Sequence, residues 1–484
     1  MSEHQHQPIA ASPRVIGVFA LTMINVAVII SINNLPTMAM TGLTLVSYFL
    51  LAAFFFFLPT ALIAAELVTG WPVRGGFYSW VRIANGPHTG FFAIWLQWIA
   101  NIIWYPSIIT PAVGSLAYVF APHLADNKYY ICFSMIGIFW FITFLNFLGM
   151  KKYSVFSSWG VIFGSLIPGA LIIMLGLAWV MQGRHIEFVV DWHDLVPSLH
   201  NKDNLVYLIG LLTTLCGMEM SAVHATSVHN PQKDYPRAII LSVLIIMVVS
   251  ILAALAIAVV VPANNMNLVA GIMQAFDTYF AVYHLQWLVP IIASLVFLGT
   301  LTMAIVWISG PSKDLCVAAE RGDVPAHLIK RNKHEMPTNI FYWQAILFTL
   351  LSLVFLVMPS VNSSYWILLA LTSELYMMMY FVLFITGLRM RYKYPDVMRS
   401  YRIPGKGNLG MWVVAGAGMV GTTVAFIIGF IPPSGMNITT WRYDLVLLTG
   451  VVLVCVPPMI WFSIRHHLRK QREILAHHVF PTEY

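Results

Sequence analysis

The chain has 484 residues, of which 59% are hydrophobic and 9% are charged. Soluble globular proteins carry about 25% charged residues, so this composition excludes an ordinary water-soluble domain and indicates lipid as the solvent. The net charge of +7 does not indicate a nucleic-acid-binding protein, because the basic residues lie in short loops and form no contiguous stripe. The cysteines are scattered without a CxxC pair, so we expect no disulfide framework, metal or cofactor.

The apolar runs predict an all-α membrane protein with about twelve transmembrane helices, since each span needs about 20 apolar residues. The polar N-terminal segment 1–14 lacks the apolar core and cleavage site of a signal peptide, and we therefore expect the first span to stay in the mature protein. We place the spans at residues 15–42, 43–69, 90–120, 129–149, 156–181, 204–228, 237–261, 286–310, 338–358, 364–388, 410–431 and 443–464.

The distribution of basic residues predicts the orientation of the spans. If the N-terminus is cytoplasmic, only four of the 26 Lys and Arg residues fall outside, and positively charged loops favour the cytoplasm. An even number of spans then places both termini inside, in a multi-pass protein of the cell membrane. The four outside residues are Lys128, Arg184, Lys202 and Arg442.

The first span contains a signal for a helix break. Asn33 and Asn34 stand just before Pro36 within an otherwise apolar run. Proline lacks a backbone N–H and disfavours helical backbone in the preceding residue, but it suits the first turn of a new helix. We therefore expect an interrupted helix; the alternative is a simple proline kink.

The sixth span contains a second break signal. The stretch from Thr213 to Ser221 carries polar residues and Gly217 at membrane depth. Non-helical backbone is tolerated there only where protein or a water-filled cavity satisfies its polar groups, so two breaks predict a binding cavity. The alternative at Gly217 is close packing of two helices.

The two breaks lie five spans apart, which fits two inverted repeats of five spans each. We expect a ten-helix core at 15–388 with repeats at about 15–181 and 204–388, two additional helices at 410–464, and a short cytoplasmic tail at 465–484. The tail carries histidines beside Lys and Arg residues, which fits either a pH sensor or a membrane-surface anchor.

Three acidic residues, Glu66, Glu219 and Glu374, lie within predicted spans. An ionisable group in lipid needs a partner or a water-filled path, so each is a candidate functional residue. The alternative is a protonated or hydrogen-bonded packing residue. Glu219 is distinguished by its position beside the second break.

Motifs along nearly the whole chain carry a family resemblance. They are Ala64-Ala65-Glu66-Leu67, Trp71-Pro72-Val73-Arg74-Gly75-Gly76-Phe77-Tyr78-Ser79-Trp80, Gly217-Met218-Glu219-Met220-Ser221-Ala222, Asn230-Pro231 with Asp234-Tyr235-Pro236-Arg237-Ala238, and Gly310-Pro311-Ser312. With them the chain resembles the amino acid, polyamine and organocation (APC) transporter superfamily, and within it the bacterial glutamate/GABA antiporters. The resemblance implies a leucine-transporter-like core with broken helices 1 and 6, a bacterial inner membrane, and alternating-access exchange of amino acids or related amines.

The sequence departs from that family where substrate choice is decided. The glutamate/GABA exchangers carry an acidic residue just before the proline of the first span, where this chain has Asn34 and Leu35. They carry another before the tryptophan of the eighth span, where this chain has Met303 near Trp307. We therefore expect a different preference, for neutral or weakly cationic amino acids or their amines.

The chemistry of a broken helix predicts how a zwitterion binds. Free amide groups at the start of one half-helix favour a carboxylate, and carbonyls at the end of the other favour an ammonium, each by up to about 2 kcal/mol. Aromatic faces add about 0.5–2 kcal/mol for an ammonium, although plain packing is the alternative for those residues. The candidate substrate-binding residues are Ser31, Asn33, Asn34, Trp104, Tyr105, Cys216, Gly217, Met218, Ser221 and Trp307, and the candidate coupling or gating residues are Glu219 and Glu374.

Other functions fit the sequence less well. A proton- or sodium-coupled symporter of amino acids or polyamines is the alternative within transport. A channel needs a dedicated filter or rings of like charge, which the sequence does not show. We expect no enzyme, because His224 and His229 form no HExxH motif. The expected partners are the small-molecule substrate and the bilayer, and the oligomeric state is left open.

Overall fold

A computed structural model describes residues 17–149, 159–160, 162–188, 191–195, 202–217, 219, 230–433 and 439–479. This part of the chain is helical, with a single isolated β-bridge between Arg331 and Pro337. The helices are α1 (Val18–Ile29), α2 (Leu35–Ala39), α3 (Thr44–Gly70), α4 (Gly76–Asn85), α5 (Pro87–Phe120), α6 (Lys128–Asn146), α7 (Ile162–Met181), α8 (Lys202–Thr214), α9 (Pro231–Val260), α10 (Gly271–Val282), α11 (Val289–Glu320), α12 (Thr338–Val357), α13 (Val361–Lys393), α14 (Leu409–Gly429) and α15 (Thr440–Val479).

Ten helices in the described residues are long and apolar enough to cross a membrane. They are α3, α5, α6, α7, α9 and α11 to α15, and they correspond to ten of the predicted spans. The remaining two predicted spans, the first and the sixth, are the interrupted ones. The predicted all-helical, multi-span fold is therefore confirmed, whereas the division into repeats and domains stays a prediction.

The first span is broken where its sequence predicts. Helix α1 ends at Ile29, and Ile30 and Ser31 have extended backbone with ψ of 115° and 122°. A 3-10 turn at Ile32–Asn34 leads into α2, which carries Pro36 in its first turn. Proline is tolerated at that position because the first amides of a helix have no partner within the helix.

The sixth span breaks at the end of α8. The helix stops at Thr214, a turn covers residues 215–217, and Gly217 has a φ of +109°. Only glycine adopts that backbone conformation readily, so the glycine in the motif has a conformational reason. Apart from Glu219, the second half of this predicted span, including Met218 and Ser221, lies outside the described residues.

The helices differ in how much of their surface is buried by the rest of the protein. Most residues of α5 and α13 are buried, whereas fewer than a third of the residues in the apolar stretches of α14 and α15 are buried. Exposed apolar side chains on a membrane helix face lipid at no cost, since lipid tails are as apolar as leucine. Helices α14 and α15 thus lie at the periphery of the bundle, and α5, α11 and α13 surround the two breaks.

Candidate functional site

The break in the first span is tethered to α11. Asn33 Nδ2 donates a hydrogen bond to Thr300 Oγ1 at 3.0 Å, and both residues are buried. Asn33 is therefore engaged with the protein, which the sequence does not reveal. Asn34 is half-buried and its side-chain amide makes no hydrogen bond to the described residues. Of the two amides, Asn34 is the one free to meet a substrate.

The break in the sixth span packs against the same helix. A Cβ atom added to Gly217 would lie 2.6 Å from Cη2 of Trp307, closer than any side chain permits. The indole ring therefore covers the turn directly. Thr300 and Trp307 are seven residues apart on α11, which places them on one face about 10 Å apart along the axis. Both breaks thus meet a single stripe of α11.

A hydrogen-bonded bridge joins the second break to α13. The hydroxyl of Tyr380 donates to Glu219 Oε2 at 2.6 Å and accepts from the backbone N–H of Gly217 at 2.8 Å. Glu219 is 6% exposed, and a buried carboxylate needs such a donor to offset its desolvation. Substrate, proton or cation reaching Glu219 competes with this bridge, so Tyr380 is a gating candidate that sequence reasoning missed.

An aromatic pair stands beside the break. The rings of Trp104 and Trp307 meet edge to face with centroids 4.9 Å apart. Tyr105 is not free for a substrate, because its hydroxyl donates to Trp307 O at 3.2 Å and accepts from Gln344 Nε2 at 2.8 Å. Ser312 in turn donates to Gln344 Oε1 at 2.7 Å. Tyr105 therefore positions α11, and Trp104 and Trp307 remain as candidate walls of the site.

The other predicted site residues near the breaks are buried. Ser31 precedes the 3-10 turn and is 7% exposed. Cys216 donates its thiol to Leu212 O at 3.4 Å. Thr213, one turn earlier, shares a 2.7 Å hydrogen bond with Ser373 of α13. The end of α8 is thus held by α13 on one side and by α11 on the other.

Glu374 lies away from both breaks. Its Oε1 atom would be 1.5 Å from a Cβ added to Gly429, so the carboxyl packs directly on the backbone of α14. Neither oxygen has a hydrogen-bond partner among the described residues. The structure thus does not bring this predicted gating residue to Glu219, because it lies on the face of α13 that meets α14.

Glu66 forms a buried ion pair. Its carboxylate accepts from Arg391 Nε at 2.5 Å and from Nη2 at 2.7 Å, and the backbone N–H of Ile403 donates to Oε2 at 2.8 Å. Arg399 Nε lies 3.5 Å from the same carboxylate. The ion pair connects α3 to the end of α13 and to the loop that follows it. It therefore stabilises the fold or holds these elements together in one conformation.

A second polar cluster joins the segment after α3 to the end of α11. Gly75 has a φ of +85°, which glycine tolerates, and α4 follows. Asp323, just beyond α11, accepts from Arg82 Nε at 2.9 Å and from the Tyr78 hydroxyl at 2.5 Å. Burial, together with the Asp323 carboxylate, raises the pKa of Tyr78, so the phenol remains a donor. The cluster joins α4 to the end of α11.

Sequence comparison places this fold in a family. A family model of amino acid permeases matches residues 16–455. The chain is 40% identical over 459 residues to an uncharacterized transporter of Legionella pneumophila, covering 94% of this chain and 98% of that protein. It is 32% identical over 480 residues to a glutamate/gamma-aminobutyrate antiporter of Lactococcus lactis (97% and 94%), and 24% identical over 396 residues to a polyamine transporter of Arabidopsis thaliana (81% and 74%). This chain belongs to the amino acid permease family of the APC superfamily of membrane transporters.

Proposed function

We propose that the protein exchanges amino acids or closely related amines across the bacterial inner membrane by alternating access, with both termini in the cytoplasm. The observation that carries the proposal is the meeting of two interrupted helices on one stripe of α11, through Asn33 with Thr300 and Gly217 with Trp307. Interrupted helices leave backbone amides and carbonyls that a zwitterionic substrate can satisfy. The antiporter among the relatives supports exchange.

The charges around the breaks support a preference for neutral or cationic substrates. The acidic side chain at the second break is Glu219, and the predicted spans carry no Lys or Arg at mid-depth. A second substrate carboxylate would therefore stay unpaired in a site of low polarity, at a cost of several kcal/mol. Primary amines, by contrast, gain Glu219 as an acceptor and the faces of Trp104 and Trp307 as a cation–π surface.

The bridge between Tyr380 and Glu219 supports a gating role. In the structure the hydroxyl holds Glu219 and the turn at Gly217 together. Release of this bridge would free Glu219 and the turn at Gly217 to move relative to α13. A bound ammonium that displaces the hydroxyl from Glu219 would couple occupancy of the site to that movement.

Counterflow in proteoliposomes tests the function. Vesicles loaded with unlabelled amino acids or amines should take up labelled neutral or cationic substrate faster than empty vesicles. Uptake into empty vesicles driven by a proton gradient would instead indicate symport, which the titratable Glu219 also permits. Counterflow of glutamate at neutral pH that exceeds every neutral or cationic substrate would refute the proposed substrate class. Glu219→Gln should abolish any preference for cationic over neutral substrates.

A further inference from the structure

An apolar groove lies on the membrane face between α5, α12 and α15. It has a volume of about 410 Å³ and is lined by aromatic side chains, without any acidic residue among its lining groups. The loop after α11, at Val324–Leu328, closes one end. In the proposed orientation this end lies at the cytoplasmic leaflet. The aromatic residues of the lining are Phe91, Trp95, Trp98, Trp343 and Trp461.

The closed end of the groove is positively charged. The Arg465 guanidinium lies 5.2 Å from the ring centre of Trp461, one turn beyond the lining. His327 of the closing loop is exposed and lines the same end. The nearby carboxylate of Asp323 is 4% exposed and is engaged by Arg82 and Tyr78. An anionic group at this end would therefore meet the Arg465 guanidinium, and no acidic side chain stands among the described residues that line the groove.

We propose that this groove binds an anionic phospholipid, with one acyl chain between α5, α12 and α15 and the phosphate at Arg465. Basic sites between membrane helices on the cytoplasmic side are a recurrent way to hold such head groups. The lipid links α15 to α5 and α12 across a face where α15 is otherwise exposed. The proposal does not depend on which substrate is transported.

Native mass spectrometry of the delipidated full-length protein tests the head-group contact. Phosphatidylglycerol and phosphatidylcholine with identical chains are titrated in turn, and phosphatidylglycerol should bind more tightly. Arg465→Gln should weaken phosphatidylglycerol about fivefold, since one arginine near a lipid head group contributes about 1 kcal/mol. Arg442→Gln is the matched control, because Arg442 also stacks on a tryptophan of α15, at 5.4 Å from Trp441, but at the opposite end. Equal binding of both lipids, or equal losses in both variants, would overturn the proposal.

A second variant tests the acyl-chain contact without changing charge. Leu347→Trp fills the groove and should weaken the binding of phosphatidylglycerol. Thermal unfolding of each variant in detergent confirms that it is folded. Unchanged lipid binding by Leu347→Trp would overturn the proposal, and loss of a dimer in that variant would identify a second copy as the occupant.

Discussion

Replacement of Tyr380 by phenylalanine tests the bridge at the second break most sharply. The change removes one oxygen atom and keeps the ring, which packs edge-on against Phe56 with centroids 4.9 Å apart. The structure shows what is lost: the 2.6 Å bond to Glu219 and the 2.8 Å bond from the Gly217 amide. Both partners are buried, and the backbone amides of Gly217 and Glu219 remain as donors to the carboxylate.

The expected magnitude follows from the bond to Glu219, because the Gly217 amide keeps the carboxylate as an acceptor. A hydrogen bond to a charged group contributes about 1.5–3 kcal/mol. If the bridge forms in only one conformation of the transport cycle, the conformational equilibrium shifts by that amount, which corresponds to roughly 10-fold to 150-fold. Exchange should therefore slow by at least about tenfold.

The assay is counterflow by Tyr380→Phe in proteoliposomes, with the amount of inserted protein measured in parallel. Tyr376→Phe is the control, because its buried ring stacks on Tyr380 at 6.1 Å on the same helix. Among the described residues, the Glu219 carboxylate accepts hydrogen bonds from Tyr380 and from the backbone of Gly217 and Glu219, and not from Tyr376. The control should exchange substrate within about twofold of the wild type. Wild-type exchange rates and substrate preference in Tyr380→Phe would refute a gating role for the bridge.

Three further predictions follow from other contacts. Glu66→Gln leaves its buried arginine partner without a counter-charge, so the protein should lose about 3–5 kcal/mol of stability, measured as a lower midpoint of thermal unfolding; an unchanged midpoint would contradict the buried ion pair. Gly217→Ala should abolish exchange, since a Cβ there would lie 2.6 Å from the covering indole; full activity would mean that the turn opens. In the proposed topology, cysteines introduced at the exposed positions Lys330 and Tyr129 should label from the cytoplasm and from outside, respectively. The four native cysteines are buried and should not compete for the reagent; reversed labelling would invert the topology.

Features that depend on local chemistry could be predicted from the sequence. The break in the first span follows from two asparagines and Pro36 within an apolar run, and the break in the sixth span follows from Gly217. Both are properties of a few neighbouring residues, and backbone preference alone decides them. The ten uninterrupted spans are equally local, since length and apolarity suffice to define them.

Features that depend on distant partners could not be predicted. Tyr380 lies 161 residues from Glu219, and Thr300 lies 267 residues from Asn33. Nothing in either sequence neighbourhood specifies the pairing. Arg391 belongs to a basic cluster from which the sequence predicts the orientation of the spans. The sequence does not reveal that Arg391 is also the ion-pair partner of Glu66.

The position of Glu374 shows a different limit. A mid-span carboxyl indicates function by its cost in lipid, but the sequence does not say which face of α13 meets the pathway. Helix α13 is buried on most sides, so its apolar pattern has no clear lipid-facing stripe. The structure places Glu374 against Gly429, on the side of the additional helices.

Substrate protection of Asn34 tests the central claim that the two breaks form the substrate site. In Asn34→Cys, the rate of alkylation by a small thiol reagent is measured with and without a substrate that supports counterflow. Because Asn34 is half-buried beside the first break, saturating substrate should slow its alkylation severalfold and leave a cysteine at Tyr129 unaffected. An alkylation rate at position 34 that substrate does not change, in protein that still exchanges that substrate, would contradict the account.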